Sequence, residues 1–112
     1  MSQQKDMLRT NNAFLSYIEQ LYDAQHRKED ILLKEFSEEQ LLLHQEERPA
    51  KVMVLKEGIT KCYFNEAGDK GFIVEFLGKG EIIGEIEIIK NMPCLCNIKA
   101  ITPVKAYAIS IP

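Results

Sequence analysis

Gly78-Lys79-Gly80-Glu81-Ile82-Ile83-Gly84-Glu85-Ile86-Glu87-Ile88-Ile89-Lys90-Asn91-Met92-Pro93-Cys94-Leu95-Cys96-Asn97-Ile98-Lys99-Ala100 is the stretch on which the reading of this chain turns. Gly78, Gly80 and Gly84 sit among isoleucines, and Pro93 follows them. Glycine tolerates positive φ and lets a ligand or another backbone approach closely. The isoleucines and the segment Cys96–Ile101 read as strand. The pattern is therefore a tight turn, a short connector beginning at Gly84-Glu85, and a return strand. It suits a pocket whose wall is made of backbone.

Upstream of this stretch, short apolar runs alternate with turn signals. Ile31–Phe36 and Gln40–His44 flank Ser37-Glu38-Glu39, a turn, and Glu46-Glu47-Arg48-Pro49 is a second turn. Lys51–Lys56 reads as a strand, and Gly58 marks a bulge or bend after it. Ile59–Phe64 alternates, with Thr60, Cys62 and Phe64 on one face. Cys62 therefore reads as core or half-buried. Residues 65–70 read as a hairpin loop with Gly68 in the left-handed conformation, and Gly71–Leu77 returns. Downstream come Asn97–Ile101, a turn at Thr102-Pro103, and Val104–Ile111. Many short strands at regular spacing predict a sandwich or barrel.

The first 27 residues have a different texture. Phe14, Leu15, Ile18, Leu21 and Tyr22 fall at helical spacing and make one apolar stripe. Thr10, Asn11 or Asn12 can cap the start. The polar run Gln25-His26-Arg27-Lys28-Glu29-Asp30 ends it. A helix packed on the following domain is the expectation.

Composition bounds the function. A chain of 112 residues is one domain and builds one core. A net charge of −3 argues against direct nucleic-acid binding by the whole chain. No apolar run approaches the roughly 20 residues that span a bilayer, and the N-terminus lacks a signal-peptide core. Three cysteines, an odd number, predict reduced thiols in a cytoplasmic protein. His26 and His44 are lone histidines, so the ligand cluster of a metal-dependent enzyme is missing. No nucleophile elbow or phosphate loop is present. The expectation is that the chain is not an enzyme.

Four motifs together resemble the effector domain of Crp–Fnr-type bacterial transcription regulators. Leu43-His44-Gln45-Glu46-Glu47-Arg48-Pro49-Ala50 resembles that family's strand and Gly-Asp-Pro-Ala-type turn, with Glu46-Glu47-Arg48 where glycine and aspartate are usual. Residues Val52–Tyr63 resemble its strand, glycine and following strand. Phe76-Leu77-Gly78-Lys79-Gly80-Glu81 resembles its Leu-Gly-x-Gly turn, and Ile83-Gly84-Glu85 the opening of its phosphate cassette. The wording Ile-Gly-Glu-Ile-Glu is similar to the YeiL-like branch. The resemblance covers roughly residues 28–112. It implies a mainly β fold: an antiparallel β-roll or double-stranded β-helix, the jelly roll of cyclic-nucleotide-binding domains, with an N-terminal α-helix over residues 1–27. It implies a small-molecule effector held at a cassette-like pocket of Gly84, Glu85, Ile86, Cys94, Leu95 and Cys96, where Glu85 would hydrogen-bond a ribose. It also implies a homodimer in the full-length protein. DNA is then contacted only through a C-terminal domain, which would follow Pro112. Without the family's dimer helix, the chain is expected to be a weak dimer or monomer with some exposed apolar surface.

One departure decides the ligand. Members that bind cyclic AMP close the cassette with an arginine and a serine or threonine, because a guanidinium fork supplies charge and paired donors to the buried phosphate. This chain has Cys94-Leu95 there. Cyclic AMP is therefore not the expected ligand, unless Lys79, Lys90 or Lys99 supplies the charge. Three functions fit these residues: sensing another effector, a ligand-free dimerisation or packing module, or redox or metal sensing through Cys94 and Cys96. A bond between Cys94 and Cys96 is awkward, since an extended i, i+2 span of roughly 6.6 Å exceeds the preferred Cα separation of about 5.5–6 Å. The cysteines are expected simply to pack.

Overall fold

The computed structural model describes residues 2–24, 30–64 and 72–110. The chain forms α1 (Ser2–Ala24), β1 (Ile31–Phe36), β2 (Leu41–Leu43), β3 (Lys51–Glu57), β4 (Thr60–Phe64), β5 (Phe72–Leu77), β6 (Ile82–Ile83), α2 (Glu85–Ile89), β7 (Asn97–Ala100) and β8 (Val104–Ser110). The strands make two antiparallel four-stranded sheets, in the orders β1-β8-β3-β6 and β2-β7-β4-β5. This is the expected jelly-roll β fold with one N-terminal helix. No described helix is long and apolar enough to cross a membrane.

Side-chain alternation explains the layering. On β3, Met53 and Leu55 face into the roll, and on β8 so do Val104, Ala106 and Ala108. The intervening residues Val54 and Tyr107 point the other way, where α1 covers them. At residues 53–55 and 106–108 the first sheet is thus buried on both faces, and there its two inner strands read as continuous apolar runs, whereas the middle of β1, residues 33–35, is exposed. From the second sheet, Leu42, Leu43, Cys62, Ile98 and Ala100 close the interior.

The helix packs with Leu15 and Ile18, which are buried against Ile31, Val54 and Tyr107. Each such side chain contributes about 1.5–3 kcal/mol of burial. Phe14 and Tyr22 flank them, while Leu21, expected in the stripe, stays exposed. The helix also begins well before the Thr10–Asn12 caps, at Ser2. Lys56 fixes the helix laterally: its Nζ donates to Glu19 Oε2 at 2.7 Å and to the Tyr107 hydroxyl at 3.1 Å. The Tyr22 and Tyr107 rings stack tilted, 5.2 Å apart. The polar run from Gln25, with His26, and the hairpin loop with Gly68 lie outside the described residues.

Gly58 makes the bend expected of it. Its φ is +94°, and the β3–β8 register shifts between Leu55 and Glu57. The turn that follows is tied to the start of β8: Ile59 N donates to Thr102 Oγ1 at 2.9 Å, and Ile101 N to Ile59 O at 2.9 Å. Thr60 beside it is fully buried, and its hydroxyl donates to Leu77 O at 3.2 Å.

Candidate functional site

The segment from Gly84 to Cys96 leaves the roll and returns to it. The sequence predicts strand for its isoleucines. Ile82 and Ile83 do form a strand, but Ile86, Ile88 and Ile89 lie in α2 or at its end. Gly84 makes the difference, because its φ of +89° redirects the backbone out of the ladder. A Cβ there would lie 3.1 Å from Lys51 O, so glycine also permits close approach to β3. Glu85 and Glu87 then occupy the first turn of α2, where acidic side chains complement the partial positive charge of the amide ends. Ile88 N donates to Gly84 O at 3.1 Å, closing that turn.

The turn between β2 and β3 holds the returning arm. Arg48 Nη1 donates to both Asn91 O (2.7 Å) and Asn91 Oδ1 (2.8 Å). Cys94 is clipped on both sides: its N–H donates to Glu47 O at 2.9 Å, and its carbonyl accepts from Glu46 N at 2.8 Å. Glu46 adopts φ +73° to reach it. Asn97, buried at the start of β7, accepts from Gln45 N at 2.8 Å through its Oδ1. Arg48 and Glu46, which depart from the usual turn residues, are thus employed in anchoring this arm.

Between the arm and the second sheet lies a cavity of about 290 Å³. Of the six residues expected at the pocket, Gly84, Glu85, Cys94 and Cys96 line it. Ile86 and Leu95 do not; they point outward, 53% and 62% exposed. A helical turn after Gly84 swings Ile86 away, and Leu95 sits in the bend before β7. Ile89 and Phe76 are exposed as well. The sequence pattern did not point to Cys62, Glu75, Glu81 and Glu87, which also line it, together with the apolar Leu43, Leu77, Ile82, Ile83 and Ile98.

The wall has one sign of charge. Glu75, Glu81, Glu85 and Glu87 line it, and no lysine or arginine does. Glu87 Oε2 is buried and has no hydrogen-bond partner among the described residues. The three lysines considered as substitutes lie elsewhere. Lys99 pairs with Glu39 at 3.4 Å and sits over the Tyr63 ring, while Lys79 and Lys90 are exposed.

All three cysteines of the chain line this one cavity. Cys62 and Cys94 are 7% and 4% exposed, and Cys96 is half-buried. Burial pushes the Cys62 thiol up to about 12, helped by a hydrogen bond with Cys96 and by Glu75 and Glu87. Burial pushes Cys94 up to about 11, with Glu87 adding to it. Both stay protonated at neutral pH, so neither stands as a thiolate poised to attack first. Among the described residues, no group of three or more His, Cys, Asp or Glu side chains is placed to hold a metal ion. His44 is exposed and does not line the cavity.

Residues 33–111 match the model of the cyclic nucleotide-binding domain family, and the chain belongs to that family. Solved structures share the fold. One is a regulatory protein from Silicibacter pomeroyi DSS-3 assigned to cAMP binding, with TM-score 0.68, 22% identity, and coverage of 73% of this chain and 38% of that one. Another is a mutant regulatory subunit of a cAMP-independent protein kinase A from Trypanosoma brucei, bound to cAMP, with TM-score 0.67, 19% identity, and coverage of 74% and 30%. A third is a cAMP-binding acyltransferase from Mycobacterium smegmatis, with TM-score 0.68, 19% identity, and coverage of 74% and 26%. The chain therefore spans well under half the length of each. No curated protein matches it.

Proposed function

We propose that this domain is the effector-sensing module of a Crp–Fnr-type bacterial transcription regulator, close to the YeiL-like branch, and that its effector is not a cyclic nucleotide. One observation carries the ligand part: the charged side chains lining the cavity behind the cassette are Glu75, Glu81, Glu85 and Glu87, and none of the lining residues is a cation. A cyclic phosphate brought there is an uncompensated anion among carboxylates, which costs several kcal/mol. Every 1.4 kcal/mol is tenfold in affinity. The Trypanosoma brucei structure offers a parallel: a cAMP-independent protein holds cAMP in a mutant in which one of three changes installs an arginine.

The chemistry of this wall favours a neutral or cationic effector that donates hydrogen bonds to the carboxylates. The domain does no catalysis in this reading. It acts in the cytoplasm, in a full-length homodimer that contacts DNA through a separate domain. Calorimetric titration of the chain with cyclic AMP and cyclic GMP tests the ligand part. The expected result is no binding up to about 1 mM, weaker than about −4 kcal/mol. Micromolar binding of either nucleotide would overturn it.

A further inference from the structure

We propose that Cys62 and Cys96 are a redox-active thiol pair, which a peroxide converts to a disulfide across the wall of the cavity. The strand register puts the two together. On β4 and β7, Cys62 stands opposite Ile98 and Tyr63 opposite Asn97. Cys96, two residues before Ile98, is therefore the diagonal neighbour of Cys62 on the same face. Both line the same cavity, and Cys96 packs against the buried cluster that contains Cys62.

An ideal diagonal pair is about 7–8 Å apart, somewhat more than the roughly 4.4–6.8 Å between the Cα atoms of bridged cysteines. Cys96 sits in the bend ahead of β7 and not inside the ladder, so the ideal diagonal spacing does not fix its position. The third thiol is worse placed. Cys94 is two residues from Cys96, and the hydrogen bonds to Glu46 and Glu47 fix its backbone.

The chemistry balances with hydrogen peroxide as the oxidant. Cys96, the most exposed of the three thiols, reacts first. Its sulfur, as thiolate, attacks one peroxide oxygen. An S–O bond forms, the O–O bond breaks, and the departing hydroxide leaves as water with the proton Cys96 gave up. The Cys62 sulfur then attacks the Cys96 sulfur. The S–S bond forms, the S–O bond breaks, and the hydroxide leaves as water with the Cys62 proton. The two sulfurs together give two electrons to the peroxide. Burial keeps Cys62 protonated, so it gives up its proton as it attacks. The bridge ties β4 to the segment that carries Cys94 and Leu95, fixing one wall of the cavity. The proposal holds whether or not the cavity takes an effector.

The test treats the reduced chain with hydrogen peroxide, alkylates it under denaturing conditions, and maps the cysteines by mass spectrometry. The expected product is a monomer lighter by two hydrogen atoms, with a linked Cys62–Cys96 peptide pair and alkylated Cys94. The C94S variant keeps the pair and should give the same bridge; the C96A variant should give none. A Cys94–Cys96 bridge, a disulfide-linked dimer, oxidation of Cys96 to sulfinic acid with Cys62 still alkylatable, or no oxidation would each overturn the proposal.

Discussion

Replacing Gly58 by alanine puts the turn after β3 under a strain that the geometry allows to be sized. The new Cβ would lie 2.3 Å from Pro103 O, 2.8 Å from Val104 Cγ2 and 2.9 Å from Val104 Cα. Carbon atoms in contact prefer about 3.5–4.0 Å. Two of these three neighbours are backbone, so no side-chain rotation relieves the overlap. The residue would also hold φ near +94°, which L side chains rarely adopt. Such a conformation costs about 1–3 kcal/mol, and overpacking adds about 1–3 kcal/mol. The expected loss is therefore roughly 2–6 kcal/mol, against a total stability of about 5–15 kcal/mol for a native domain. Two other glycines calibrate the effect. Gly84 has φ +89° but a nearest approach of 3.1 Å, so G84A should cost about 1–3 kcal/mol. Gly78 meets nothing nearer than 3.9 Å and has no positive φ, so G78A should lie within about 0.5 kcal/mol of the parent. Urea unfolding followed by circular dichroism ranks the three. With a slope of about 2 kcal/mol per molar, in the middle of the usual range, the G58A midpoint should drop by roughly 1–3 M. A G58A loss no larger than that of G78A would refute the reasoning.

Three further outcomes follow from the same contacts. Stability should fall as pH rises from about 8 to about 11: the folded thiols of Cys62 and Cys94 titrate at about 12 and about 11, so the unfolded chain releases its protons first. Lys56, held above its usual range by Glu19 and the Tyr107 hydroxyl, acts in the same direction. The loss by about pH 11 should reach at least one pKa unit's worth, about 1.4 kcal/mol, and a C62A/C94A double variant should show a shallower slope in urea midpoints. K56M should cost about 0.5–1.5 kcal/mol, because the pair with Glu19 is partly exposed, and the cost should shrink in high salt in the same assay. N97A should cost about 1–3 kcal/mol by leaving Gln45 N without that acceptor, measured by thermal or urea unfolding at neutral pH.

Much of this was legible in the residues. The strands fell where apolar runs met turn signals, because each run alternates or is buried on both faces. The stripe through Leu15 and Ile18 announced a helix packed on a sheet. What misled was α2. Isoleucine favours strand, and Glu85-Ile86-Glu87-Ile88-Ile89 alternates as a strand would. The backbone conformation of Gly84 and the acidic first turn outweighed that propensity, which also turned Ile86 out of the pocket. The cavity wall was only half visible for a different reason. The inward phase of Thr60, Cys62 and Phe64 could be read along the chain, but the register of β4 against β7 could not. That register is what brings Cys62 to Cys96, and it is set by pairing across the sheet.

The strand order has a consequence for how the domain comes to be folded. β8 lies between β1 and β3 in its sheet, with Ile109 opposite both Ile31 and Val52. One of the two inner strands of that sheet is thus the last of its four to be made. As the chain leaves the ribosome, β1 and β3 have no partner in common until residues 104–110 have emerged, and the face that receives Leu15 and Ile18 lacks Tyr107. Pairings this distant in sequence put such roll topologies among the slower folders, on the millisecond-to-second scale. Sheet closure is therefore a late, all-at-once event, and a nascent chain that stalls before Val104 exposes two strand edges with nothing to join them.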